Sequence, residues 1–384
     1  MKVAKRSGIA PFIAMEVMKA ANERAQTGAE VLHMEVGQPG TGAPAAALAA
    51  ARAALEGPSA ALGYTEALGV PGLRVRIARH YQDKYGVTVA PQRIAVTTGS
   101  SGAFLLAFLA AFDAGDRVAI LEPGYPAYRN ILTALGIEVV PIPVGPDTGF
   151  QATPEHLAAA GRLDGFLVAS PANPTGSMLS ADELDALLRW CDGAGVRFLS
   201  DEIYHGITYG KRETTALGRG NDQAIVINSF SKYFCMTGWR LGWLVLPQDL
   251  VRPVERLAQN LFISPPALPQ LAAQAAFDAI PELDANVARY AASRALLLRE
   301  LPQAGFDSFA PADGAFYLFA DVTRLTNDST EFCRRMLAEA GVAATPGTDF
   351  DPVRGHHFLR FSFAGTTDDM ARAAAKLQAW LKPR

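Results

Sequence analysis

A chain of 384 residues, 49% hydrophobic and 19% charged, is too long for one small core and too apolar to be disordered, so it reads as a globular protein of about two domains. A formal net charge of −3 gives no electrostatic basis for nucleic acid or an anionic membrane as partner, and the longest uncharged apolar run, residues 103–112, is far short of a bilayer span. The basic start, Met1 to Arg6, leads into no signal-peptide core because Glu16 and Lys19 interrupt it; Cys191, Cys235 and Cys333 fit no metal-binding spacing, so a cytoplasmic protein with reduced thiols and no metal site is expected.

After Pro11, Ile13, Val17, Ala20 and Ala21 predict one face of a helix that ends at Gly28. Residues 31–36 predict a strand running into Gly37-Gln38-Pro39-Gly40, where a glycine permits close approach of backbone to a ligand or simply makes a turn. Residues 41–92 read as an Ala-rich helix, a loop holding Gly63-Tyr64-Thr65, and a second helix with the stripe Leu73, Ile77 and Tyr81.

From residue 93 strands and helices alternate, the pattern of a parallel sheet with crossover helices. A strand over 94–98 meets Gly99-Ser100-Ser101-Gly102, which turns into a helix over 103–114. Free N–H groups at that helix start, with two hydroxyls, suit a phosphate. No GxGxxG pattern occurs, which counts against a dinucleotide enzyme, and Gly206 to Lys211 falls one residue short of a P-loop with Arg212 in place of Ser/Thr. A strand over 118–121 delivers Glu122-Pro123-Gly124-Tyr125-Pro126, whose prolines stiffen a loop that holds a ring.

Residues 166–169 form a continuous apolar strand, expected to be central, ending at Ser170-Pro171-Ala172-Asn173-Pro174-Thr175-Gly176. Ligands of open parallel sheets sit at the carboxyl ends of strands, and Asn173 stands there between prolines. A helix over 181–194 and a strand over 197–200 lead to Asp201, whose burial would require a cationic partner. Two apolar runs, 224–227 and 243–246, flank Lys232. An ammonium there is costly, and the neutral amine can form a Schiff base with an aldehyde; on spacing alone, Lys232 could also belong to a surface loop. Arg240 adds a permanent charge suited to phosphate.

Beyond residue 247 the chain reads as helices (268–280 and 286–301), a turn and strand over 311–319, a helix over 329–340 and a strand over 358–363. A last helix has Thr367 as cap, Asp368 and Asp369 in its first turn, and Met370, Ala374, Leu377 and Leu381 on one face. Arg360, flanked by apolar residues, needs an anion: a substrate carboxylate or a structural ion-pair partner.

The segment SFSKYFCMTGWRLG resembles the Schiff-base segment of the class I/II pyridoxal-phosphate-dependent aminotransferases, of fold type I. SPANPTG at 170–176, DEIY at 201–204 and GSSG at 99–102 match in the same order, and the resemblance covers nearly the whole chain. It implies an α/β fold: an N-terminal arm and part of the small domain in 1–45, a large, mostly parallel cofactor domain in 46–285, and a small α+β domain in 286–384. It further implies pyridoxal 5'-phosphate (PLP) on Lys232, with Ser100, Ser101, Gly102, Ser229 and Arg240 among its contacts and Tyr64 reaching the phosphate of the other subunit in a homodimer with shared active sites. Tyr125 would stack on the pyridine ring, Asp201 face its nitrogen, and Asn173 and Tyr204 bond its phenolic oxygen, while Gly37, Asn173 and Arg360 receive the substrate carboxylate.

The reaction implied is ping-pong transfer of an amino group from an L-amino acid to a 2-oxo acid, with Lys232 moving the proton. C–S lyases and decarboxylases of the same fold share these motifs, but need no acceptor keto acid. A PLP-binding transcriptional regulator would carry an N-terminal winged-helix module, for which the stretch before Val31 is expected to be too short. In aspartate aminotransferases of the animal and enteric type, an arginine seven residues before the second proline of a Pro-Pro pair grips the distal carboxylate. Here the pair is Pro265-Pro266 and Gln259 holds that place, followed by Leu261, Phe262 and Ile263, so neutral or aromatic amino acids are expected over aspartate unless Arg24, Arg129 or Arg324 supplies the cation.

Overall fold

The computed structural model describes residues 1–58 and 62–382. Helix α1 (Ile13–Gln26) forms where expected, but its buried positions are Ala14 and Ala21, and Ala20 faces solvent. The run over 31–36 pairs only at β1 (Leu32–His33); beyond it, the Met34 N–H donates to Ala343 O and Met34 O accepts from Ser362, so two different partners take over the backbone. Helices α2 (Ala45–Glu56) and α3 (Pro71–Tyr85) follow. Leu73, Ile77 and Tyr81 of α3 are fully buried as their spacing predicts, and Gly86 ends the helix in left-handed geometry.

The large sheet is built from β2 (Ile94–Thr97), β3 (Arg117–Glu122), β4 (Glu138–Pro143), β5 (Gly165–Ala169), β6 (Arg197–Asp201), β7 (Ile225–Ser229) and β8 (Gly242–Val245) in the spatial order β2-β8-β7-β6-β5-β3-β4. Only β8 runs against its neighbours. Every residue of β5 is buried, and its side chains divide between two cores, Phe166 and Val168 on one face and Leu167 on the other, which explains its unbroken apolar sequence. Crossovers are α4 (Gly99–Ala111), α5 (Pro126–Leu135), α6 (Pro154–Ala159) and α7 (Ala181–Ala194). Helix α4 begins at Gly99, earlier than residue 103, so Gly-Ser-Ser-Gly is itself the first helical turn. Helix α7 keeps the predicted limits, with Ser180 and Glu183 forming a capping box and Gly195 closing it.

Next come α8 (Gln248–Leu261), α9 (Ala267–Ala276) and α10 (Ile280–Glu300), the last starting earlier than residue 286. A four-stranded sheet, ordered β12-β13-β10-β9, combines β9 (Ser308–Phe309), β10 (Tyr317–Asp321), β12 (Thr345–Pro346) and β13 (Phe358–Ser362), while β11 (Val342–Ala343) pairs with β1. The chain's two ends are thereby joined. Helix α11 (Ser329–Arg335) widens into a π-turn over Met336–Ala340, shortening the α-helix expected over 329–340. In the last helix, α12 (Thr367–Leu381), the cap is Thr366 in place of Thr367: its side chain accepts from the Asp369 N–H. Among the described residues no helix is long and apolar enough to cross a membrane.

Candidate active site

The carboxyl ends of β2, β3, β5, β6 and β7 converge on a cavity of about 530 Å³, lined by Gly37, Ser100, Ser101, Tyr125, Asn173, Asp201, Tyr204, Lys232, Arg240 and Arg360. Residues from five separate strand ends thus meet where open α/β sheets bind ligands.

Lys232 Nζ opens onto this cavity and donates to Gly37 O at 2.6 Å. Burial, then the like charges of Arg360 and Arg240, lower its pKa to about 8, against the opposing pull of Asp201. A usable fraction of neutral amine therefore exists near neutral pH. Arg240 adopts left-handed backbone geometry (φ 53) and is tethered through Nη1 to Thr237 O. Its guanidinium lies against Gly99, where an added Cβ would come within 2.6 Å of Nη2, and Gly99 itself has φ +72. Glycine at 99 lets the guanidinium meet the first turn of α4, and the Ser100 and Ser101 side chains join this cationic corner.

Asp201 is 2% exposed, and among the described residues it has no ion-pair partner. Oδ1 accepts from the Ile203 N–H at 3.1 Å and Oδ2 accepts from the Tyr128 hydroxyl. Burial raises its pKa to about 6, so the carboxylate stands ready for a cation from the cavity. Arg360 is the converse, an arginine 2% exposed whose Nε has no partner and which makes no ion pair among the described residues. Nη2 donates to Glu35 O at 2.5 Å, and the guanidinium lies 4.3 Å from the Tyr317 ring centroid and 4.8 Å from that of Phe350. Nη1 donates to Asn173 Oδ1 at 2.9 Å; since arginine can only donate, the amide is oriented and its nitrogen is the atom left to donate.

Several lining residues lay outside the sequence expectation. Tyr317 shares a 2.7 Å hydroxyl contact with Tyr204 and occupies the space above Gly37, where any Cβ would collide with its hydroxyl. Tyr128 and Ser231 line the wall, as do Phe12, Ala14 and Met15 of the N-terminal segment. Only proximity in space marks these. Conversely, Ser229 lies behind the wall, its hydroxyl bonded to Ser231 Oγ and Leu241 O, and Gly102 packs on Thr98 Oγ1. Tyr64 is 85% exposed and outside the cavity. Arg129 is engaged by Glu122 and Asp349 O, Arg324 is paired with Asp307, and Arg24 and Gln259 are not in the lining.

A depressed lysine amine, an unpaired buried carboxylate and a cationic helix start are the complements of an aldehyde, a protonated pyridine and a phosphate, so these residues fit pyridoxal phosphate. Residues 29–377 match the family model for aminotransferase class I and II. A valine–pyruvate aminotransferase of Mycobacterium tuberculosis is 52% identical over 99% of this chain and 98% of its own. The crystal structure of an aminotransferase from Mycobacterium tuberculosis superposes with a TM-score of 0.97 at 51% identity, covering 99% of both chains. Aspartate aminotransferase from Thermus thermophilus with maleate gives 0.93 at 28% identity, again over 99% of each. With its fold, cavity and nearly full length in agreement, the chain belongs to the class I and II aminotransferases, PLP-dependent enzymes that move an amino group from an amino acid to a 2-oxo acid.

Proposed function

We propose that this aminotransferase prefers neutral, apolar L-amino acids of valine's kind, with pyruvate as a partner 2-oxo acid. The observation that carries this reading is the wall of the cavity: Phe12, Ala14, Met15, Val36 and Ile203 are apolar, and among the described residues the cations that line it are Lys232, Arg240 and Arg360. With those three engaged by cofactor and α-carboxylate, a second carboxylate on the substrate would be desolvated without a partner, at a cost of several kcal/mol. The relative named for valine and pyruvate supports the same choice.

The residue roles belong to the same reading, and the geometry supports them. Pyridoxal phosphate supplies the electron sink that stabilises the charge left at Cα when its proton departs. Lys232 would hold the cofactor's aldehyde through its amine and would carry the substrate's Cα proton; its depressed pKa suits both duties. Asp201, oriented by Tyr128, keeps a negative charge against the ring nitrogen. Asn173 and Tyr204 donate toward the phenolic oxygen, and Tyr125 covers the ring. Ser100, Ser101 and Arg240 would hold the phosphate, with Gly102 and Ser229 supporting that corner from behind the wall, while Arg360 and Gly37 would orient the substrate carboxylate.

The active form is a homodimer in which the exposed Tyr64 serves the partner's site; exposed Leu261 and Ile263 supply apolar surface for such an interface. The protein is cytoplasmic. Its domains are 1–45 with 286–384, and 46–285, the second boundary falling within α10. Single half-reactions, followed by the absorbance of the bound cofactor, test the substrate reading across a panel of amino acids. Valine and other neutral amino acids should exceed aspartate in kcat/KM. The proposal fails if aspartate outranks every neutral amino acid.

A further inference from the structure

Behind the cavity floor lies a buried polar pair to which none of the roles above gives a task. Glu202, next in the chain to Asp201, is 1% exposed. Its Oε1 accepts from the Ala216 N–H at 2.8 Å, Thr215 Oγ1 at 3.0 Å and Ser200 Oγ at 3.2 Å. Oε2 has no hydrogen-bond partner among the described residues and faces Nδ1 of His205 at 3.5 Å. The other nitrogen of His205, Nε2, lies 3.0 Å from Ser170 O. A carbonyl only accepts, so Nε2 carries a hydrogen. Ser170 opens the loop that presents Asn173, and the Tyr85 hydroxyl of α3 stands 2.8 Å from Nδ1.

Two arrangements hold the same number of protons: a carboxylic acid beside a neutral imidazole, or a carboxylate beside an imidazolium. In the charged form the Nδ1 hydrogen would go to the Tyr85 oxygen at 2.8 Å in preference to Oε2 at 3.5 Å, leaving an ionised oxygen enclosed without a donor. In the neutral form the proton sits on Oε2, facing Nδ1, and Tyr85 donates to Nδ1. The surrounding charges point the same way. Burial foremost, with Asp201 adding repulsion, pushes Glu202 up to about 8, and burial pushes His205 down. From α3, Lys84 lowers His205 further; Glu213, paired with Lys84 at 2.7 Å, raises it, and the phenols of Tyr81 and Tyr85 complete the enclosure.

We propose that Glu202 is a neutral carboxylic acid at physiological pH and that with His205 it forms an uncharged brace, positioning the loops that present Asp201 and Asn173 while leaving Asp201 the sole anion beneath the ring. Glu202 is thus a positioning residue. Ionised, it would set a second negative charge beside Asp201 and raise that carboxyl's own affinity for a proton. The inference takes the roles of Asp201 and Asn173 as given, but the proton on Glu202 is read without reference to substrate.

The test is infrared difference spectroscopy of the holoenzyme at pH 7, wild type against Glu202→Gln. A carboxylic-acid C=O band lost in the variant is expected; loss of carboxylate bands alone overturns the proposal. Thermal melts give a second, signed reading. A carboxyl whose pKa rises on folding from 4.5 to about 8 stabilises fully below 4.5 and loses that contribution as pH climbs to 8. Glutamine does not titrate, so Tm of the variant relative to wild type should rise between about pH 5 and 8; no change across that interval would mean that Glu202 holds no extra proton in the folded state and overturns the neutral acid. Should the glutamine variant not fold, Tyr85→Phe serves: removing the competing donor should shift the acid band to lower frequency, and its complete absence from that region refutes the neutral acid. For the brace itself, Glu202→Ala should weaken cofactor binding about tenfold and Glu202→Gln restore it. Equal affinities in the two variants would end the positioning role.

Discussion

The floor and the roof of the cavity are built by opposite means. On the floor, Asp201 ends a strand and Ser100, Tyr125, Asn173 and Lys232 each follow one in the same sheet, so strand ends and local turns set the side chains and the sheet sets the distances between them. The roof comes from the chain's two ends. Asp349, 2% exposed, accepts the Ile13 N–H at 3.1 Å and the Ala14 N–H at 3.0 Å, clamping the start of α1 from 336 residues away. Phe12 meets the Tyr125 ring edge-on at 5.7 Å, yet along α1 only Ala14 and Ala21 are buried. A rigid floor with a lightly anchored roof separates two tasks. On the proposed roles, the groups that move protons stay fixed, while the apolar wall offered to the substrate side chain rests on a helix that few contacts hold.

Lys232→Ala should strike the floor hardest. Loss of both the covalent anchor and the proton carrier should lower the half-reaction rate by about 10³-fold or more, with cofactor still bound noncovalently through the α4 corner. Borohydride reduction and peptide mapping of the wild type should place the cofactor on Lys232; a label on Lys211 would undo the assignment. Arg360→Leu removes the carboxylate fork, and kcat/KM should fall about 10²-fold for every amino acid alike, because the lost contact is common to all. Asp349→Ala tests the roof. Losing a charged cap costs about 1–2 kcal/mol of helix anchoring, so KM for valine should rise about tenfold with kcat changed much less. An equal fall in kcat would mean that roof and floor are not separable.

The same contrast decides what the sequence could disclose. Strand ends followed by Gly, Pro, Ser or Asn are local patterns, and Asn173, Asp201 and Lys232 stand where such patterns end, so the order of elements in the large sheet and most of the floor were legible. The antiparallel course of β8 was not, since reversal depends on which neighbour it pairs with. Asp349 and Met15 were hidden for the same reason. Their significance lies in contacts across hundreds of residues, and Met15, 48% exposed, breaks the rule that an apolar helix position faces the core. Ser231 lines the cavity while Ser229 faces inward because β7 ends at Ser229: two residues apart in a strand they would share a face, and the turn that begins at Phe230 re-aims Ser231. Thr366 caps the last helix because its ψ of 150 is extended, whereas Thr367 is already helical.

The smallest expected effect separates electrostatics from catalysis on the floor itself. In the cofactor-free protein Lys232 is held among Arg360 and Arg240 with its pKa lowered from 10.5 to about 8. Between those two values the unfolded chain binds more protons at this site than the folded one, so stability rises with pH across that interval, and below about 8 the full penalty of the enclosed charge remains. Lys232→Met keeps the length of the side chain and removes the charge. The cofactor-free variant should therefore melt above the cofactor-free wild type at pH 7, by about 1–4 °C for a chain of this size, with the gap closing as pH approaches 10.5. Calorimetry across that range checks it. A variant less stable than wild type at pH 7 would mean that Asp201 satisfies the ammonium, and that the floor is a settled ion pair even before the cofactor arrives.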